Sequence, residues 1–519
     1  MRPAYRHGIV SSTLLLPVTL FLGIILQEIL VPLPGLISLA LTLVTYGGYI
    51  VYTEEYRIGF LAAFATAATI SADIPVLEET AAFAGPSVGS IFLIEIIAIP
   101  GIAYLLYDWR EWDHVELLLT AYSVWAAISV VFGIGPAKAA GFWFAAYSFL
   151  GVISYAIFRR AIQRRIVSCT EAVSLFLFAG AGQGLIAALQ LIHTANFGLT
   201  TLGEGANSSG VYISLFLYKV PIGTYISGFM SMSFELANYL VLLLPVIIAF
   251  AILKRQQRWS SIALGSAAVI AAVGVRVTMS DAARGGLIIA LGVFIVALLA
   301  MRVDNRIVVA AVIPILPAFI RSTTSGQGVL VNQETSNPST GPTAPENPTT
   351  TPTSPTGNPD PVNISIPFFD LSNLGVRLQQ YIIGIQMFIN HPLFGVGAAN
   401  YQLVAMGYDA PYPPGGEFPY SIHSIYITLL AETGLPGFFL YTLAGASVVL
   451  GGLYYGVREQ NVLLSGLACG LLGTFAFGSL DILQLYYPTA FVPIWAVAGI
   501  AGAICGGIHL PTPRGIFSR

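Results

Sequence analysis

The stretch ELANYLVLLLPVIIAFAILKRQQRWSSIALGSAAVIAAVGVRV, residues 235–277, decides the fold. Its two apolar runs, 235–253 and 259–275, each approach the ~20 residues that a helix needs to cross a bilayer. Lys254, Arg255 and Arg258 separate them. A helical hairpin with a basic turn is expected of a chain that crosses a membrane and returns, keeping its cations on the cytoplasmic side. Similar runs occur at 8–26, 30–52, 57–72, 88–107, 115–133, 139–158, 168–192, 285–301, 307–320, 422–456, 462–478 and 489–507. The run at 422–456 reads as one long or bent helix. The sequence therefore predicts an all-α polytopic membrane protein with about 14 spans, in a range of about 12–14.

Composition supports this reading. The 519 residues are 56% hydrophobic and 9% charged, with a mean hydropathy of +0.79, whereas soluble domains carry roughly 25% charged residues. A large soluble core is excluded. No basic stripe with interleaved aromatics occurs, so nucleic acid is not an expected partner. Cys169, Cys469 and Cys505 lie in or beside apolar runs without CxxC spacing, which argues against a disulfide framework or a zinc site. The run after Arg2 and Arg6 is too long for a signal peptide and reads as an uncleaved first span.

Charge placement sets the predicted sidedness. With both termini cytoplasmic, only Lys138, Lys219, Arg276, Arg284, Arg321 and Arg377 of the 22 Lys and Arg fall outside. Snorkelling to headgroups can explain a single outer cation, Lys138 or Arg321 for example. Arg284 is harder to dismiss, because with Arg276 it lies at the mouth between two spans in RVTMSDAARGGLIIAL, where Gly285 and Gly286 allow close helix approach.

The outer loop divides the chain into four regions: 1–320 and 422–519 in the membrane, 321–364, and 365–421. The Thr/Pro-rich tract is too polar to offset its ordering entropy and is expected to be disordered. In 365–421, apolar residues recur at helical spacing from Leu374 to Ile389, with Arg377, Gln379 and Gln380 on the other face. The helix should end at Asn390-His391-Pro392, since proline disfavours helical geometry in the residue before it. An amphipathic helix lying over the membrane surface suggests a lid above a site.

The candidate site is thus Arg276, Arg284, Arg377 and the His423-Ser424 pair that opens a span. Guanidinium groups bind phosphate oxygens bidentately and keep their charge, and a histidine can take a proton from a hydroxyl near neutral pH. The set suits an anionic, lipid-linked substrate. Simpler readings stand beside it. His423 can be a helix cap, His391 can hold the turn before Pro392, and Glu432 can pair with an arginine or cap its own turn. Asp481 can position an arginine. Glu95, read as mid-span, is a functional candidate or a hydrogen-bonding partner for a neighbouring helix.

HSIYITLLAETGLPG (423–437) resembles the signature of the O-antigen ligase and polymerase superfamily: His, then Asn, Ser or Gln, nine residues, and Gly-x-x-Gly. RLQQYIIGIQMFINHPLFGVGAANY (377–401) and SDAARGGLIIAL (280–291) are similar to two further family patterns. KVPIGTYISGFMSMSFELANYL (219–240) is similar to a third, with Lys219 where the family has arginine. The resemblance covers 215–300 and 370–500. It implies a multi-pass, GT-C-like glycosyltransferase that needs no metal, cofactor or nucleotide sugar. Such an enzyme moves a glycan from a polyprenyl diphosphate to a glycan, lipid or protein acceptor at the outer face of the cell membrane. By position, Arg284 and Lys219 would bind the diphosphate, and Arg377 would assist. His423 would be the base or would orient the acceptor, with Arg276, Ser424, His391 and Glu432 also in reach of substrate. Gly434 and Gly437 would let a neighbouring helix pack closely and fix the height of His423. A protein oligosaccharyltransferase of the same superfamily is an alternative, as is a transporter or flippase. A transporter should place paired charges and broken helices at the midplane, whereas here the candidate residues crowd one face.

Overall fold

A computed structural model describes residues 56–71, 73–75, 90–107, 111–193, 197, 212–215, 218–221, 226–228, 230, 232–278, 280–319, 374–412 and 418–507. The expected spans at 8–26 and 30–52, Arg321 and the tract at 322–364 lie outside these residues.

The described chain is helical. In order, α1 (Tyr56–Ala67) leads to a short antiparallel pair, β1 (Asp73–Pro75) and β2 (Ser90–Phe92), then α2 (Leu93–Tyr107), α3 (His114–Phe132), α4 (Lys138–Gln163) and α5 (Cys169–His193). A second pair, β3 (Tyr212–Leu215) and β4 (Tyr218–Pro221), precedes α6 (Ser233–Leu253), α7 (Arg258–Val277), α8 (Asp281–Ala300) and α9 (Asn305–Val312), which runs into a 3-10 turn at Ile313–Phe319. The last part holds α10 (Leu374–Asn390), α11 (Tyr401–Ala405), α12 (Ile425–Arg458), α13 (Val462–Phe477), α14 (Leu483–Tyr486) and α15 (Pro488–Gly507). Among the described residues, eight helices are long and apolar enough to cross a membrane: α3 to α8, α12 and α15. Three shorter apolar helices accompany them, at Arg57–Ala67, Asn305–Phe319 and Val462–Phe477. The protein is a multi-pass helical membrane protein.

α13 sits among α6, α8 and α12. Its small face makes this possible: Gly466 abuts the Pro245 carbonyl, Gly470 the Leu242 carbonyl, and Gly473 packs against Ala290 and Gly286. Missing side chains bring backbones together where lipid offers no hydrophobic drive to association. Gly286 meets Gly473 and Phe477, as the Gly285-Gly286 pair suggested.

The two ends of the bundle differ in charge. At one end, Arg159 pairs with Asp113 at 3.1 Å and Glu116 at 3.2 Å, and Arg160 reaches Glu116 at 3.4 Å. At the other end lie His423, Arg276, Arg284 and Arg377. Lys138 is also there, and its ammonium donates to the Val130 and Gly133 carbonyls at 2.7 Å each. A cation on the last carbonyls of α3 is a helix C-cap, which accounts for Lys138 structurally.

Three expectations need correction, and that of a bent α12 is met. Glu95 is in the first turn of α2, not mid-span, so it lies where the helix dipole favours an acid. On α10, Gln380 is fully buried rather than on the outward polar face, and Leu378, Ile382, Ile385 and Ile389 are exposed. α12 is bent because Gly434 leaves helical geometry at φ 66°, ψ −170°. Gly434 does not seat a neighbouring helix at the His423 level. What meets it is the backbone of Pro392 and Leu393, whereas Gly437 faces α3, where an added Cβ would lie 3.3 Å from the Trp125 ring.

Candidate active site

The break in α12 frees backbone groups, and residues 391–401 satisfy them. Leu435 N donates to the Pro392 carbonyl at 2.9 Å, Val396 N to Ala431 at 2.8 Å, and Gly397 N to Glu432 at 3.0 Å. Trp125 Nε1 donates to the Thr433 carbonyl at 2.9 Å. The segment can lie in the break because Gly395 and Gly397 take φ of 64° and 101°, a region open to glycine but costly for other residues. A Cβ on Gly434 would come closer than 3.0 Å to the Pro392 and Leu393 carbonyls. The buried Glu432 side chain completes the join. Its oxygens accept from Ala399 N and Tyr401 N at 3.0 Å each and from Tyr486 OH at 2.8 Å. Glu432 makes no ion pair with an arginine among the described residues. Its bonds run to the 391–401 strap and to Tyr486, so it positions that loop.

The strap is tied on its far side as well. Asn400 Oδ1 accepts from Ala137 N at 2.7 Å, and Gly135 N donates to Val396 at 2.7 Å. The 391–401 segment therefore bridges the α3–α4 turn and the middle of α12. His391 lies at its start, where its N–H donates to Met387 and closes α10.

His423 stands just before α12. Ile425 N donates to the Gly478 carbonyl at 2.8 Å, fixing the helix start against the end of α13. Ser424 occupies the N-cap position in extended geometry and is buried, and its carbonyl accepts from Thr428. Tyr381 OH, from α10, donates to the His423 carbonyl at 2.8 Å. The His423 Nδ1 is buried and has no hydrogen-bond partner among the described residues. Burial first, and the Arg377 charge second, push the imidazole down to about 4, so it is neutral at pH 7.

Arg377 lies one helical turn before Tyr381 and donates through Nη1 to the Leu480 carbonyl at 3.2 Å. Beside it, the Asp481 carboxyl accepts from Ile482 N at 2.7 Å and Leu483 N at 3.2 Å. Burial pushes Asp481 up to about 6, against those bonds and the Arg377 charge. The sequence read Asp481 as an arginine's partner, and the structure places it in electrostatic reach of Arg377. Tyr381 had not been singled out, although its i+4 spacing from Arg377 puts both on one side of α10.

Arg276 and Arg284 form a second group. Arg284 Nη2 pairs with Asp281 Oδ1 at 2.7 Å. Arg276, mostly buried, closes α7 within electrostatic reach of both. Ser280 caps α8 by accepting from Ala283 N at 3.1 Å. A capped helix N-terminus with arginines beside it is a favourable place for an anion. The last turn of α13 joins the two groups: Gly286 meets Phe477, and the next residue, Gly478, holds Ile425. Lys219 lies on β4 opposite Ser214, with its side chain outside the described set.

With this geometry in view, residues 266–442 match the family model described as O-Antigen ligase. About a third of the chain is thus similar to the O-antigen ligase family. The matched segment runs from the middle of α7 past the break in α12. It includes Arg276, Arg284, Arg377, His391, His423, Ser424 and Glu432. Lys219 and Asp481 fall outside the matched segment. Comparison with curated proteins returned no match.

If Glu432 holds the strap, Glu432→Ala leaves two buried N–H groups and the Tyr486 hydroxyl without an acceptor, at about 1–3 kcal/mol for each group. Thermal unfolding of purified Glu432→Ala should show a clearly lower midpoint, and Glu432→Gln, which keeps one acceptor oxygen, a smaller loss. An unchanged midpoint in both variants would mean that the strap is anchored elsewhere.

Proposed function

We propose that the His423 end of the bundle transfers a glycan from a polyprenyl-diphosphate-linked donor to an acceptor hydroxyl, at the outer face of the membrane. The observation that carries this reading is a half-buried, neutral imidazole whose buried Nδ1 has no partner among the described residues, set beside Arg377 at one end of an O-antigen ligase-like domain. The acceptor O–H gives its proton to His423 Nδ1 while its oxygen bonds to the anomeric carbon. The bond from that carbon to the diphosphate oxygen breaks, and its electron pair leaves with the polyprenyl diphosphate. Diphosphate is already a good leaving group, so stabilising the departing charge matters more than protonating it. Arg284, Arg276 and Arg377, joined by Lys219, supply that charge without a metal ion. α10 covers the reacting centre from the side of His423.

Electrostatics explains how a weakly basic histidine can serve. The Arg377 charge disfavours a positive charge on His423. Bound diphosphate offsets the arginine and favours protonated imidazole, so donor binding raises the basicity of His423 when it is needed.

Two tests follow from this geometry. His423→Ala should lower turnover by roughly 10²–10⁴-fold, the scale of a lost general base, while donor binding persists. Arg284→Ala should weaken donor affinity by about 1.5–3 kcal/mol through loss of a charge-assisted contact. Near-normal turnover in a well-inserted His423→Ala protein would reduce the histidine to a helix-start residue.

The second test is the pH profile. A base works only when deprotonated, so kcat/KM, which reports the free enzyme, should fall only as pH drops through about 4. The acid limb of kcat, which reports the donor complex, should lie at higher pH. Coincident limbs would contradict the coupling between diphosphate and His423.

A further inference from the structure

α10 presents its surroundings with four different faces. At about 100° per residue, Gln380, Ile383 and Met387 form a buried stripe against the protein. Arg377 and Tyr381 flank that stripe on the side of His423. On the opposite flank, Gln379, Gln386 and Asn390 are exposed and polar. The remaining stripe, Leu378, Ile382, Ile385 and Ile389, is wholly apolar and 38% to 66% exposed. A helix standing in water would not leave four large aliphatic residues in one row.

Continuity identifies what covers that row. Beyond the helix end, exposed Leu393 carries it to the break in α12, where Gly434 abuts the Leu393 backbone and Leu435 N bonds to Pro392. There it meets a second exposed stripe, Leu435, Phe439, Leu443, Leu450 and Tyr454, on the long arm of α12. The apolar belt continues outward past this level, since α3, whose Trp125 bonds to the Thr433 carbonyl, carries exposed Val131 and Phe132 beyond it. Leu393 and the break thus lie within the apolar belt rather than at its rim. Phe394, stacked on Trp125 at 5.4 Å and on Phe132 at 5.0 Å, lies in the same belt.

The direction of α10 is also fixed. Its start reaches Leu480, its second turn meets His423, Gly384 touches Ile422 and Ile427, and the chain after it arrives at Gly434. It therefore descends alongside the short arm of α12 toward the break at Gly434. We propose that α10 is seated in the membrane leaflet at the His423 end, with Ile382, Ile385 and Ile389 against acyl chains and Arg377 at the headgroup side. The helix is a wedge entering the leaflet, not a lid lying flat on it. The placement uses no property of the transfer reaction and stands apart from it.

The test uses the full-length protein with Ile382→Cys, Ile389→Cys or Gln386→Cys, labelled with a small thiol-reactive fluorophore. The parent, with Cys169, Cys469 and Cys505, sets the background labelling. Each protein is reconstituted in phosphatidylcholine vesicles whose acyl chains carry bromine, and aqueous iodide is the second quencher. Labels at positions 382 and 389 should be quenched several-fold more by brominated chains than by iodide, position 389 the more strongly, and position 386 should show the reverse. Iodide reaching 382 and 389 as readily as 386 would overturn the proposal in favour of a water-facing stripe. Protection of 382 and 389 from both quenchers would overturn it in favour of cover by another part of the chain or a second copy.

Discussion

A helix of 34 residues that begins at the site cannot stay regular here, because Gly434 sits in left-handed geometry and opens the hydrogen-bond ladder of α12. In a membrane, freed carbonyls need partners within the protein. Residues 391–401 and Trp125 supply them, and in doing so they fix where the short arm of α12 points. His423, at the tip of that arm, inherits its position from bonds made two to three turns away. The arrangement couples α3, α4, α10 and α12 through one strap, so the site is not built on a free loop.

The electrostatic design depends on the same scaffold. Tyr381 holds the His423 backbone, and Arg377 from the same helix stands near enough to disfavour the imidazolium. Asp281 neutralises part of Arg284, and Asp481 lies by Arg377. An anion entering between these groups would find arginines already held in place by acidic or carbonyl partners. Preorganised charge of this kind costs little reorganisation when negative charge grows on a leaving group.

Much of this was legible in residue order. Apolar run length gave the membrane class, and the long run at 422–456 appeared as one bent helix, since Gly434 and Pro436 lie inside it. The motif around His423 pointed to the family whose model matches residues 266–442. Other features were hidden because they arise only on contact. Nothing in the spacing of Gly395 and Gly397 says that they fill a break in a distant helix. The role of Glu432 emerges only once Ala399, Tyr401 and Tyr486 converge on it. The faces of α10 were misread for a similar reason: in a membrane protein an apolar stripe can face lipid, and the polar Gln380 can turn inward.

The central claim is that this end of the bundle breaks the bond between a glycan and a polyprenyl diphosphate rather than carrying the lipid across the membrane. The direct measurement follows a polyprenyl-diphosphate-linked glycan in vesicles containing the purified protein and an acceptor bearing free hydroxyls. The account predicts that free polyprenyl diphosphate appears in step with glycan mass on the acceptor, and that both depend on His423. Glycan-lipid that changes leaflet intact, with no diphosphate released, would contradict it.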